Sequence, residues 1–264
     1  MKDNFQKQFK NIVYVILGIM LLIVLWEVVS FATDHLFLPE FFMCLGKTFS
    51  LFGNAFTMVS LGYTILRMLI SVLISSLLAI VLGIIAGYYD PLAHILFPLI
   101  TILRTIPTIA LVLLLIVYVP NFSYYVVSLV VFPIIYEAVL EGSRNVYSRY
   151  ENDFLLIGKH HINNITRVVF PLSTGYIFLG LIQGVGLGLK VEIMAEILAQ
   201  NSRFRGLGPL IQQAYIDVDY LRMMAYVMFV LFLAFIFDAM LRWVSKIVTK
   251  HYGISSVKKN MFSH

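Results

Sequence analysis

EGSRNVYSRYENDFLLIGKHHINNITRVVFP, residues 141–171, is a long polar stretch in a chain that is 60% hydrophobic and only 12% charged, with a mean hydropathy of +0.90. Soluble domains run at roughly 45–50% apolar and about 25% charged, so a globular core cannot absorb this surplus. The excess must face lipid. A watery segment in the middle of such a chain then needs a place outside the bilayer and something to touch.

A helix needs about 20 largely apolar residues to cross the hydrocarbon. Six stretches qualify: 11–32, 60–88, 94–118, 122–140, 172–199 and 221–248. The expectation is one transmembrane domain over 1–264, all-α, with residues 141–171 joining the fourth and fifth spans. The first apolar run is too long for a signal-peptide core and no small-residue cleavage pattern follows it, so it reads as a retained span. Residues 39–56 are mixed in character and read as a short interfacial helix. The single Cys44 gives neither a disulfide framework nor a thiol metal cluster.

Charge sets the orientation. Lys2, Lys7 and Lys10 precede the first span, and Arg144, Arg149, Lys159 and Arg167 lie in the polar stretch. Arg242, Lys246, Lys250, Lys258 and Lys259 close the chain. Only Lys47, Arg67, Arg203, Arg205 and Arg222 fall on or near the other side. The positive-inside bias puts both termini and the polar stretch in the cytoplasm of a multi-pass cell-membrane protein. The formal net charge of +5 is thus read as cytoplasmic flanks, with no nucleic-acid partner.

Within the stretch, Val146, Tyr150, Phe154 and Ile157 recur at spacings of four, four and three, one face of a helix. Gly158 follows where a stop is expected, and Lys159, His160 and His161 suit the helix's negative end. Adjacent histidines on a helix point apart, so this is capping and not a metal site. A second short helix is expected from Asn163 to Phe170, ended by Pro171. The apolar stripe has two occupants to choose from, the chain's own bundle or a second protein.

From Gly142 to Pro171 the chain resembles the cytoplasmic coupling loop of ABC-transporter permeases, with the spacing of the nitrate/taurine/sulfonate branch. Gly142, Arg144 and Val146 are followed by Gly158 sixteen residues after the first glycine, then by Val168, Val169, Phe170 and Pro171. RTIPTIALVLLLIVY (104–118), AEIL (195–198), RGLGPLI (205–211) and DAMLR (238–242) resemble further parts of that family, and the likeness covers roughly residues 37–248. The loop's usual Glu-Ala-Ala is Asn152-Asp153-Phe154 here, with Glu151 one place earlier, and its usual Asp-Pro is Tyr147-Ser148. The resemblance implies a six-span type I ABC importer permease. Its partners would be ABC ATPase subunits, an extracytoplasmic solute-binding protein and a second permease copy, in a homodimer. It also implies no cofactor in this chain, ATP and Mg2+ belonging to the ATPase. Val146, Tyr150, Glu151, Asn152, Asp153, Phe154, Ile157, Gly158 and Pro171 become the coupling residues, and the solute falls in the nitrate/taurine/sulfonate or vitamin-precursor class.

The chain carries no G-x-x-x-x-G-K-[ST] phosphate loop, no H-E-x-x-H and no G-x-S-x-G, so no enzymatic role is expected. A polytopic scaffold or a channel that binds a cytoplasmic partner through 141–171 is the competing class. The spans themselves hold the other candidates. Gly180, Gly184 and Gly188 stand four apart, a spacing that lets backbones approach. They either pack within the chain or line the dimer seam or pathway. Lys190, Glu192, Glu196 and Arg104 are ionisable groups inside spans, costing about 2.5–3.5 kcal/mol each near the bilayer centre. Glu192 and Glu196 share a face, and Lys190 lies roughly 160° from Glu192 by helical geometry. They are read as interhelical salt bridges or as part of a site for an anionic or polar solute. Pro98, Pro107 and Pro133 interrupt helical hydrogen bonding, and Asp217, Asp219 and Arg222 lie in an outer loop suited to docking a delivery protein.

Overall fold

The computed structural model describes residues 2–157, 162–199 and 205–251. These are almost entirely helical: α1 (Lys2–Ala32), α2 (Phe41–Leu51), α3 (Ala55–Tyr88), α4 (Asp90–Thr105), α5 (Thr108–Tyr118), α6 (Phe122–Arg149) and α7 (Glu151–Ile157). Then come α8 (Ile162–Asn164), a π-helical turn (Ile165–Val169), α9 (Phe170–Leu172), α10 (Thr174–Leu198), α11 (Leu207–Ile216) and α12 (Tyr220–His251). Among the described residues, five helices are long and apolar enough to cross a membrane, or six spans if the bent pair α4–α5 counts as one. The chain divides into two compact units, residues 1–58 with 210–231 and residues 59–209 with 232–264.

The first unit holds α1 and α2 together by polar clips at the helix ends. Trp26 Nε1 donates to Pro39 O at 2.9 Å and Ser30 Oγ to Leu38 O at 2.7 Å. Glu27 Oε1 accepts from Phe41 N at 3.1 Å, satisfying an N–H at the start of α2 that has no intrahelical partner. Thr48 Oγ1 donates to Ala225 O at 3.1 Å, and Phe52 packs on Phe229 at 4.7 Å between ring centres. The turn from α11 to α12 is a Schellman motif: Asp219 N bonds Ala214 O and Val218 N bonds Tyr215 O. It places Val218, a β-branched residue, at φ 57°, in the left-handed region where glycine is the usual occupant. Asp219 Oδ1 then accepts from Arg222 N and caps α12, and Asp217 pairs with Arg222.

The second unit is built around α6, twelve of whose 28 residues are buried, from Phe122 to Val146. Glycines let its neighbours close on it. A β-carbon on Gly83 of α3 would lie 2.9 Å from Val139 Cβ, and one on Gly87 would collide with Ser143. On the other flank a β-carbon on Gly184 of α10 would meet Ile135 Cδ1 at 2.8 Å, and one on Gly180 would meet Ala138 Cβ at 3.1 Å. Gly142 returns the favour, accepting Tyr176 of α10. Serines stitch α3 to α6 through backbone carbonyls: Ser75 to Ser128 O at 2.6 Å, Ser128 to Ser71 O at 3.1 Å and Ser143 to Ile84 O at 2.9 Å. In lipid, where apolar burial does not drive helices together, such close backbones and interhelical hydrogen bonds hold the bundle.

The stretch 94–118, expected as one span, is two helices bent by 92°. Ile106 (ψ 124°) and Pro107 (ψ 125°) are both extended, because proline disfavours helical geometry in the residue before it. Pro98 and Pro133 do not end their helices. Nor does Pro171. The preceding π turn, in which Phe170 N reaches Ile165 O, loosens the winding just before the proline ring, and Pro171 sits in the first turn of α9.

Candidate functional site

The first nine residues of the polar stretch, 141–149, continue the fourth span. Helix α6 runs on to Arg149, fixed by Arg144 to Asp90 at 2.6 Å and by Asn145 Nδ2 to Tyr176 OH at 3.1 Å. Tyr150 (φ −111°, ψ 17°) breaks the helix, and α7 turns away from it. The expected stripe therefore spans two helices. Its apolar members face the chain's own bundle: Val146 and Phe154 are 8% and 2% exposed. Phe154 stacks on Tyr147 at 5.8 Å and meets Tyr88 edge-on at 5.9 Å. Tyr88 also packs on Tyr147 and Tyr89, and its hydroxyl accepts from Asn164 Nδ2 at 3.3 Å. Tyr150 packs partly buried on the same core.

What α7 turns outward is Glu151, Asn152, Asp153 and two leucines, Leu155 and Leu156. Leu156 is 87% exposed. The sequence reading missed the leucines because it followed the buried stripe. On a seven-residue helix with one keyed side, large apolar groups on the opposite side were the signal. Gly158, Lys159, His160 and His161 lie outside the described residues, as does the side chain of Ile157.

The glycine stripe packs within the chain. Gly180 and Gly184 face α6, and Gly188 faces Val72 of α3. Of the two expectations for these glycines, packing within the chain is the one their contacts show. The open position on α10 is Gly186, on the same exposed face as Gln183 and Lys190.

Glu192 and Glu196 are fully buried and share one cation, Arg67 of α3. Arg67 Nε donates to Glu192 Oε1 at 2.7 Å, while Nη2 donates to Glu196 Oε1 and, at 2.7 Å, to Arg205 O. Glu196 also accepts from Thr64 Oγ1 at 2.8 Å and from Gly208 N at 2.7 Å. Thr64 Oγ1 accepts in turn from Leu207 N at 2.9 Å. A β-carbon on Gly206 or Gly208 would collide with Glu196, so the backbone from Arg205 to Gly208 is moulded on that carboxylate. Lys190 is exposed and in no ion pair among the described residues. Arg104 pairs with Glu137 of α6, and the two side chains stay 54% and 39% exposed, next to the break at Pro107. Arg67, Thr64, Glu137, Gly206 and Gly208 were not singled out from sequence. A charge inside an apolar run demands a partner, and that rule applied to Arg67 would have found the pair.

A helical membrane bundle with a broken span, charges gathered between its helices and a short polar helix keyed beneath it has the fold of an ABC transporter permease, an importer-type transport subunit. The chain belongs to the family of binding-protein-dependent transport system inner membrane components, whose model matches residues 79–250. Among eleven matching chains of solved structures is one from the MetNI methionine ABC transporter in inward-facing conformations. It superposes with a TM-score of 0.61 at 15% identity, covering 73% of this chain and 97% of that chain. No curated protein matches. The chain is thus a multi-pass inner-membrane transport component.

Proposed function

We propose that this chain is the membrane-spanning subunit of an ATP-driven importer, with both termini and α7 in the cytoplasm, and that α7 is the lever on which a separate ATPase acts. The observation that carries this reading is the two-sided character of α7. Phe154, 2% exposed, fixes one side in the aromatic cluster of Tyr88 and Tyr147, while Leu156, 87% exposed, presents the other outward. A helix locked to the bundle on one side transmits displacement instead of sliding, and an exposed leucine pair is an apolar patch suited to a partner's hydrophobic groove. ATP and Mg2+ would be held by the ATPase; this chain supplies the contact and the moving bundle, two packings biased by the nucleotide state of the partner.

The pathway reading rests on ionised groups that no lipid would tolerate. The half-exposed Arg104–Glu137 pair and the exposed Lys190 require water or a second polypeptide beside them. A water-filled route between two copies of this chain gives both, and its cations suit a small polar or anionic organic solute or an oxyanion. That is the nitrate, taurine, sulfonate or vitamin-precursor class, delivered by a solute-binding protein from outside.

The test is Leu156→Asp in the assembled complex. Co-purification of the ATPase should fall by about tenfold or more, since a carboxylate carried unpaired into an apolar interface costs well over the ~1.4 kcal/mol that a tenfold loss represents. The chain itself should insert and fold as before, because Leu156 is almost wholly exposed. Undiminished ATPase recovery and uptake would remove α7 as the docking element.

A further inference from the structure

Helix α4 presents three faces. Ala93 and Ile100 are buried in the bundle, with Leu92 and Leu96 packed against the same core. Ile95, Leu99 and Ile102, at spacings of four and three, are exposed and apolar, a face that lipid can cover. The third face is exposed as well, but polar: Asp90, His94, Phe97, Thr101 and Arg104 follow one another at spacings of four, three, four and three. With ionised groups at both its ends, this face cannot be left to lipid.

The polar face continues onto α6. Arg104 pairs with Glu137 and Asp90 pairs with Arg144, and all four side chains stay substantially exposed. Helix α4 supplies the base of one pair and the acid of the other, and α6 does the reverse. Each pair is joined by one hydrogen bond, Arg104 Nη1 to Glu137 Oε1 and Arg144 Nη2 to Asp90 Oδ1. A guanidinium and a carboxylate can make two, so each pair keeps capacity for further charged partners. The other flanks of α6 are closed by α3 and α10.

We propose that a second copy of this chain sits on this α4–α6 face, so that Arg104 of each copy also reaches Glu137 of the other. Four charges of alternating sign then close a ring at the seam. The proposal rests on the permease reading above, which places α4 and α6 in the bilayer and supplies two copies. A surface that carries adjacent opposite charges is its own complement under two-fold rotation, the isologous contact of a symmetric dimer. The same neutrality argues against a lining for the solute route. Glu137 cancels the field by which Arg104 would draw an anion, whereas Lys190 is in no ion pair among the described residues.

The test reverses both charges in one chain, Arg104→Glu with Glu137→Arg. The pair within the chain is kept, and only what it shows to a neighbour is inverted. Wild-type and reversed chains carrying different affinity tags are co-expressed, and recovery of one on the other is measured after extraction in mild detergent. Reversed copies should recover one another as fully as wild-type copies do. In the mixed pair, arginine faces arginine and glutamate faces glutamate across the seam, and recovery should fall by about tenfold, as like charges opposed at an interface demand. Equal recovery of mixed and like pairs would overturn the seam. Should the reversed chain fail to accumulate, single cysteines decide. Thr101→Cys, on the polar face, should give a disulfide-linked dimer on oxidation in native membranes, and Leu99→Cys, on the lipid face, should give none; Cys44 is buried. Absence of the dimer from Thr101→Cys would also overturn the proposal. Neither readout uses an ATPase or uptake. Charge-selective pairing in a chain without ATP-dependent uptake would keep the seam and overturn only the permease reading. ATP-dependent uptake by copies that pair without regard to charge would do the opposite.

Discussion

At the scale of single residues, the bundle separates glycines that bear contacts from glycines that do not. Gly142 leaves only 2.5 Å between a would-be β-carbon and Tyr176 Cβ, whereas Gly186 has nothing within 4 Å. Gly142→Val should therefore separate α6 from α10 and destabilise the protein by about 1–3 kcal/mol or more, the cost of overpacking. Gly186→Ala should be neutral or stabilising by up to about 1 kcal/mol, by helix propensity. Thermal unfolding in detergent distinguishes the two. Cys44 makes a second residue-scale prediction. Burial, aided by the Glu27 carboxylate, pushes its thiol up to about 11, so at neutral pH the reactive thiolate is scarce. A maleimide should label Cys44 slowly in the folded protein, faster as pH rises towards 11, and readily once the chain is unfolded in detergent. The glycine spacing was legible in the sequence as a device for close packing, but not its target. Periodicity defines a face and carries no information about which helix lies opposite. Arg67 was hidden for a related reason: near the start of a span it counts as flanking charge until Glu192 and Glu196 are seen buried beside it.

At the scale of elements, the break at Pro107 and the run of α6 to Arg149 show two limits of reading spans from composition. Proline announces a break but not its 92° angle, which depends on what the following helix packs against. Polarity announced the end of a span at residue 140, yet α6 continues for nine residues because Arg144 and Asn145 find partners on α4 and α10. The helix-then-helix plan of residues 141–171 was legible. The stripe of Val146, Tyr150 and Phe154 was legible as a face, but not that the chain's own bundle would cover it and leave the opposite side outward. The α11–α12 turn carries this scale's prediction. Val218 stands in a glycine conformation at φ 57°, a cost of roughly 1–2 kcal/mol for a residue with a β-carbon. Val218→Gly should raise the midpoint of thermal unfolding, and a lowered midpoint would mean that contacts of the valine side chain outweigh the strain.

At the scale of the whole molecule, transport and assembly should be separable at Lys190. The residue is exposed and holds no ion pair among the described residues, so Lys190→Met removes a charge from the proposed pathway without unpairing another. Uptake should fall several-fold while the yield of assembled complex is unchanged; a parallel fall in both would make Lys190 a structural contact between subunits. The π turn at Ile165–Val169 has a different kind of consequence. It accommodates one residue more than an α-helical turn would. Deleting one residue there would let the turn close as regular α-helix with its flanks near their present azimuth, whereas adding one to the regular winding just after it would swivel everything upstream by roughly 100°, carrying Asn164 off the Tyr88 hydroxyl. The azimuth at which the proposed lever meets the bundle is thus encoded in a residue count, with the π turn as the place that tolerates a change of one.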